Sequence, residues 1–342
     1  MPEEKKLRLH VKNNHWAPDT WPNTKEGETV FAITAERFEA VASRHKDVAR
    51  HLEVFIDWDE AHFAESMRTA DVFVGWNLPT RNLAQVAPNL RLIHITGAGV
   101  EHLWPMDWLP SQTALVNSKG VHAIKAGEFG LMSVLMLHNY MPSIIDNQAR
   151  SHWKSLYATP IAGRTLLIVG VGNIGLALAK HAKSLGLTVL GVTRHGKPVD
   201  YVDEIGTAEQ LEAFLPRADF VFVATPATVE TRNLLNAERL SLMKRGSGLI
   251  NVGRSAVVDY ITLEALLRSG HLGGAILDVF DPEPLPAAST LWRAPNIVIT
   301  PHVSGDDATS YIEITLELLF DNLDRMLSGR PLRNIVQREL GY

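Results

Sequence analysis

An α/β protein of two doubly wound domains is the fold the sequence predicts, and three observations predict it. Strand-like apolar runs and helix-like amphipathic runs alternate along most of the chain, the pattern of parallel sheets covered by helices on both faces. One strand-like run ends in glycines at 170, 172 and 175 and opens directly into a helical pattern. The 342 residues exceed what a single core usually organises, so two domains are expected.

The first hundred residues supply the first domain. Residues 7–11, 52–56, 72–74 and 92–95 are short β-branched or leucine-rich runs that read as strands. Helical spacing covers 35–45, and shorter helical patterns at 60–67 and 83–86 precede the last two strands. Prolines and tryptophans crowd 16–22, which reads as a loop. A long helix is expected over 124–140, stopped near Pro142. Glu128, Phe129, Met132, Leu135 and Met136 would share one stripe of it, serving as core or subunit contact. Residues 147–163, with Trp153, read as a looser connection. Beyond Arg194 the rhythm resumes, with strands at 220–224, 249–252, 274–279 and 297–299. Helices are expected at 237–243 and 263–268, the second stopped by Gly270. An amphipathic helix over 306–327, ending near Gly329, closes the pattern. The expected division is a first domain of residues 1–117, completed by 303–342, and a second of 118–302.

The glycine-spaced turn points to a ligand. Residues 165–169 form a strand, Gly170-x-Gly172-x-x-Gly175 follows, a helix runs from Asn173 to about Ser184, and a second strand covers 187–192. In this setting the triplet is the Rossmann dinucleotide fingerprint. Gly170 permits the tight turn, Gly172 lets backbone approach a pyrophosphate, and Gly175 lets helix and strand pack closely. Asn173 and Ile174 open the helix, whose free N–H groups and dipole favour an anion.

The type of dinucleotide is read from the end of the second strand. A carboxylate usually stands there to accept the adenosine ribose hydroxyls. Eighteen residues after Gly175 stands Thr193, and no acid occurs until Asp200. Arg194, with His195 and Lys197 close by, suits a 2′-phosphate instead. NADP(H) is therefore expected ahead of NAD(H). Thr225-Pro226 and Val252-Gly253, at the ends of later strands, are expected to contact the same cofactor.

Bulk properties exclude other classes. A net charge of −5 leaves no basic footprint for nucleic acid. The absence of cysteine removes disulfides, thiolate metal sites and a cysteine nucleophile, and accords with a reducing cytoplasm. The most apolar stretch, 131–137, is too short to span a bilayer, and no apolar signal core follows the charged start of the chain. A cytoplasmic protein with no membrane partner is expected.

Three side chains follow strand ends beyond the glycine turn: Arg254, Glu283 and His302. If the sheet is parallel, all three emerge at the edge that carries Gly170–Gly175, and a cleft between two such domains is the natural ligand site. Together they suffice for carbonyl reduction. A guanidinium grips a carboxylate and polarises the adjacent carbonyl. A histidine donates a proton, and a neighbouring carboxylate favours its charged form.

These segments resemble the D-isomer-specific 2-hydroxyacid dehydrogenases. The resemblance lies in Leu249-Ile250-Asn251-Val252-Gly253-Arg254, in Leu277-Asp278-Val279-Phe280-Asp281-Pro282-Glu283-Pro284 and in Thr300-Pro301-His302. It extends to Gly270-His271-Leu272-Gly273-Gly274, to Thr231-Arg232-Asn233-Leu234-Leu235-Asn236, to the fingerprint and to the closing Gly341-Tyr342. It is strong over 120–302 and weaker through the first ninety residues. It implies a Rossmann cofactor domain, a split flavodoxin-like substrate domain and a homodimer joined through the cofactor domain. It implies that Arg254 binds the substrate carboxylate and carbonyl, that His302 is the acid/base paired with Glu283, and that Asp278 contacts the nicotinamide carboxamide. Residues 96–102 look like the family's carboxylate-binding loop, with the N–H groups of Ala98 and Gly99 holding substrate, and Trp76 is a candidate to shape the pocket. Ser255 departs from the family's usual glycine, and the missing acid near Thr193 departs from the NAD-binding pattern.

The expected activity is reduction of a small 2-keto acid, such as glyoxylate or hydroxypyruvate, to a D-2-hydroxy acid. A related protein oxidising phosphite is the enzymatic alternative; Glu283 argues against formate, whose enzymes carry glutamine there. A dinucleotide-sensing corepressor is the non-enzymatic one.

Overall fold

The computed structural model describes residues 6–16 and 24–338. The loop reading of 16–22 falls almost wholly outside them, as does Gly341-Tyr342. Packing divides the chain into two units, residues 1–121 with 307–342, and residues 122–306.

The first unit is built on five parallel strands: β1 (Leu7–Asn13), β2 (Leu52–Trp58), β3 (Val72–Gly75), β4 (Leu92–Ile95) and β5 (Ala114–Asn117). Their order, β2-β1-β3-β4-β5, is the flavodoxin-like one. β3 and β4 are buried along their whole length, which is why they read as unbroken apolar runs. Helices α1 (Lys25–Phe31), α2 (Ala35–Ala42), α3 (Lys46–Ala49), α4 (Phe63–Met67) and α5 (Leu83–Val86) connect them. In α2, Thr34 caps the first turn by accepting from the Arg37 N–H, and Phe38, Val41 and Ala42 form the buried stripe. The C-terminal helix Tyr311–Leu327 returns to this unit, where its Phe320 ring lies 5.5 Å from Phe38.

The second unit carries seven parallel strands: β6 (Thr165–Val169), β7 (Thr188–Val192), β8 (Glu204–Gly206), β9 (Phe220–Val223), β10 (Gly248–Asn251), β11 (Gly274–Leu277) and β12 (Ile297–Ile299). The order β12-β11-β10-β9-β6-β7-β8 is that of a Rossmann sheet. The chain winds from β6 outward through β7 and β8, then crosses to β9 on the other flank of β6. The switch point lies there, between the carboxyl ends of β6 and β9. Helices α6 (Ala123–His138), α7 (Met141–Ala149), α8 (Asn173–Ser184), α9 (Leu211–Phe214), α10 (Ala237–Ser241) and α11 (Tyr260–Arg268) complete the unit.

Three local readings are corrected. Pro142 does not stop the long helix but starts α7, in whose first turn the missing N–H costs nothing; the break before it is Tyr140, in the left-handed region at φ 56. Residues 147–149 accordingly belong to α7 and not to the connection. On α6 the buried residues are the small Ala126, Gly127, Gly130 and Ser133 together with Phe129, Val134, Leu137 and His138; of the expected stripe Phe129 is buried, Leu135 and Met136 are half-buried, and Glu128 and Met132 are exposed. Small residues win because α6 packs tightly on α8: a Cβ at Gly127 would stand 2.7 Å from that of Ala177. The edge strand β8 escaped the sequence reading because it has three residues and a charged, exposed start.

Candidate active site

Register places the loops of the second unit at one edge. Val192 pairs with Val169, Val169 with Val223, Val223 with Asn251, Asn251 with Leu277, and Leu277 with Ile299. These are the last residues of six strands. Gly170, Thr193, Thr225, Val252, Asp278 and the turn after Ile299 therefore all leave the sheet from the same side.

The fingerprint fits a dinucleotide on three independent observations. Gly170 sits at φ +102, and a Cβ there would meet the Ala224 backbone at 2.9 Å. A Cβ at Gly175 would lie 2.4 Å from the Gly170 carbonyl oxygen, whereas one at Gly172 would meet nothing within 4 Å. Gly172 thus borders open space beside the start of α8. Among the described residues no side chain caps that helix, whose ladder begins with the Leu176 N–H on the Gly172 carbonyl at 2.8 Å. The N–H groups of Asn173, Ile174 and Gly175 are left facing outward from the first turn. Across the switch point, the Thr225 hydroxyl oxygen is buried with no hydrogen-bond partner among the described residues. Two substitutions separate fold from ligand. Gly175→Ala is expected to cost about 1–3 kcal/mol of stability through overpacking. Gly172→Ala should leave the melting temperature unchanged and weaken dinucleotide binding roughly tenfold, about 1.4 kcal/mol. Thermal melts and fluorescence titrations of both variants check the contrast.

Past β7, the Thr193 N–H donates to the Gly206 carbonyl and its hydroxyl accepts from the Gly196 N–H, fixing a tight turn. Arg194 leaves this turn half-exposed and meets Glu230 at 2.6 Å. Pro226 is exposed in the loop after β9, and the Thr225 carbonyl of that loop would lie 2.6 Å from a Cβ on Gly253.

The trio assembles from the last three loops. Asn251, fully buried, accepts from the Gly253 N–H at 3.0 Å and donates to the Arg254 carbonyl and to the Tyr260 hydroxyl. It thereby fixes the backbone of Gly253 and Arg254, and one Arg254 Nη donates to the Gly253 carbonyl at 2.8 Å. His302 stands at φ 55, in the left-handed region, and its Nδ1 lies 2.8 Å from Glu283 Oε2. The other Glu283 oxygen accepts from the Phe280 N–H at 2.7 Å. Asp278, fully buried, accepts from the Thr300 hydroxyl and from the N–H groups of Val303 and Ser304. Its visible bonds thus brace the turn that presents His302.

Electrostatics follow from this arrangement. Burial pulls the His302 imidazole down, but the hydrogen bond and charge of Glu283 outweigh it and hold the group above its ordinary value. Burial pushes the Glu283 carboxyl up, and His302, the Phe280 N–H and Arg254 together hold it below the carboxylate range. The pairing therefore favours imidazolium against carboxylate. Two further ionisable groups stand in its field. Burial raises the Asp306 carboxyl to about 6, against the pull of His302. Burial lowers the His122 imidazole, which bonds the Gly305 carbonyl. Neither was visible in the sequence, because neither belongs to a spaced motif.

In the first unit, the loop after β4 is held through its carbonyls. The Ser118 N–H bonds the Gly97 carbonyl at 2.9 Å and the Asn117 side chain bonds that of Ala98 at 2.7 Å. Among the described residues the N–H groups of Ala98 and Gly99 have no backbone acceptor, and both residues are partly exposed. Trp76 lies over Gly97, where a Cβ would stand 2.1 Å from its ring, and stacks on His102 at 4.3 Å.

Residues 131–304 match the family model described as D-isomer specific 2-hydroxyacid dehydrogenase, NAD binding domain. The chain belongs to this family. As a D-2-hydroxyacid dehydrogenase it is an NAD(P)-dependent oxidoreductase, and the matched span covers the fingerprint and all three residues of the trio. It is 33% identical over 256 residues to (S)-sulfolactate dehydrogenase of Chromohalobacter salexigens, covering 73% of this chain and 82% of that one. It is 30% identical over 260 residues to D-3-phosphoglycerate dehydrogenase of Synechocystis, covering 75% of this chain but only 46% of that longer protein. A solved structure with TM-score 0.79 is the NADPH-dependent glyoxylate/hydroxypyruvate reductase of Sinorhizobium meliloti in complex with NADP and sulfate, 28% identical over 98% of this chain and 100% of that one. Among the described residues no helix of this dehydrogenase is long and apolar enough to cross a membrane.

Proposed function

We propose that this dehydrogenase reduces small 2-keto acids of the glyoxylate or hydroxypyruvate kind to D-2-hydroxy acids, with NADPH as its preferred donor. The observation that carries the reading is the His302–Glu283 pair, 2.8 Å apart, on the sheet edge that also presents Arg254. Arg194 in place of an acid after β7 supports NADPH, and the Sinorhizobium structure holds NADP in the same fold.

Bound along the switch point, a nicotinamide would supply the hydride. Gly170, Gly172 and the first turn of α8 would hold its pyrophosphate and Arg194 its 2′-phosphate, with Thr225 and Val252 as further candidate contacts. Arg254 binds the keto acid through carboxylate and carbonyl oxygen, drawing electron density toward that oxygen. His302, charged through Glu283, gives its proton to the carbonyl oxygen as negative charge develops there.

This mechanism has a pH signature. Reduction requires the imidazolium, so its rate falls as pH rises through the raised His302 value. Glu283→Gln removes the acceptor and the charge that hold this value up, so that limb should move to lower pH, with turnover reduced about 10-fold or more. A pH–rate profile with an unmoved limb would separate Glu283 from the proton donor. The proposal as a whole is tested by nicotinamide absorbance with glyoxylate, hydroxypyruvate, pyruvate and phenylpyruvate against NADPH and NADH. Turnover of glyoxylate and hydroxypyruvate, fastest with NADPH, is expected; turnover of none would end the reading.

A further inference from the structure

We infer that Glu230 is a cofactor-selectivity residue, set against Arg194 so that it competes with a 2′-phosphate for the same guanidinium; the inference rests on the dinucleotide reading above. β7 and β9 flank β6 on opposite sides. The loop after β7 carries Arg194 and the loop after β9 carries Glu230, and their side chains meet at 2.6 Å. The ion pair therefore joins the two flanks of the switch point, across the edge from which the glycine turn departs.

Both loops are tied, so the meeting is built and not a chance of long side chains. Arg194 follows the turn fixed by Thr193 and Gly196. On the opposite flank the Thr231 hydroxyl donates to the Pro226 carbonyl at 2.6 Å and accepts from the Thr228 N–H at 2.8 Å. The Arg232 N–H closes the same loop on the Thr228 carbonyl at 2.9 Å. Glu230 sits inside that closed turn, its side chain 60% exposed.

The chemistry sets the direction of the effect. A phosphate arriving on Arg194 must displace the Glu230 carboxylate and then lie beside it, anion against anion. A ribose hydroxyl displaces nothing and can donate to the same carboxylate. Glu230 thus stands in for the acid that β7 lacks at Thr193, and it tempers the preference that Arg194 creates. The chain carries both halves of the choice, one on each flank of β6.

The test is calorimetric titration with adenosine 2′,5′-bisphosphate and with adenosine 5′-monophosphate at low ionic strength, on the wild type, Glu230→Gln, Arg194→Ala and the double variant. Exposed pairs of this kind are weak, so Glu230→Gln should tighten the bisphosphate about 2–5-fold and leave the monophosphate equal or weaker. The tightening should vanish in the Arg194→Ala background, because the effect acts through that guanidinium. A wild type that prefers the bisphosphate while Glu230→Gln leaves it unchanged or weaker overturns the inference alone. A wild type that binds the two nucleotides equally overturns the NADP(H) reading with it.

Discussion

Replacing His302 is expected to lower kcat/KM for keto-acid reduction by roughly 10²–10⁴-fold while dinucleotide affinity stays within a few-fold of wild type. The size of the effect follows from the role: the imidazolium is the group placed to neutralise the developing alkoxide. The choice of variant follows from the backbone. His302 stands at φ 55, where alanine is strained and asparagine is tolerated. His302→Asn should therefore keep the turn, which Asp278 holds through the Val303 and Ser304 N–H groups and not through the imidazole. Asparagine carries no ionisable proton, so both His302→Asn and His302→Ala should lose turnover alike. Steady-state rates and fluorescence titration of NADPH check this. A rate near wild type in either variant would remove His302 from the proton step.

Arg254→Ala is the second large effect, a loss of roughly 10²–10³-fold in kcat/KM, comparable to removing one donor from an oxyanion site. The loop is built to deliver a guanidinium. Asn251 fixes the backbone from both sides, so truncation of the side chain leaves the scaffold in place. Arg254→Lys should recover little, since a point charge does not reproduce two parallel hydrogen bonds. Rates at subsaturating and saturating keto acid, with melting temperature as the structural control, make the comparison. Full recovery by lysine would mean that charge alone suffices and the bidentate grip is absent.

Much of this was legible in the sequence because it is written in short-range chemistry. Strands such as Val72–Gly75 and Gly248–Asn251 are buried on both faces and announce themselves as apolar runs. The glycines at 170 and 175 each meet a distinct local demand, and the parallel sheet follows from strand-helix alternation. Arg254, Glu283 and His302 could be placed at one edge by counting from strand ends. What stayed hidden depends on contacts distant in sequence or on negative evidence. The close contact of the small residues of α6 is dictated by α8, some fifty residues later, so hydrophobic spacing alone found Phe129 but turned Glu128 and Met132 inward. Tyr140 as a left-handed break has no signal of its own, and it converted an apparent stop at Pro142 into a start. Asn251, Asp278 and Tyr260 work through buried hydrogen bonds that no spacing encodes. Glu230 lies thirty-six residues from Arg194, and only the sheet order brings the two loops together.

The most direct test of the central claim is transfer of deuteride. The protein is supplied with hydroxypyruvate and NADPH deuterated at the transferred position, and the glycerate formed is analysed for label and handedness. The account predicts D-glycerate with one deuterium on C2, formed by wild type and not by His302→Asn. L-glycerate, unlabelled product, or equal formation by the variant would contradict it.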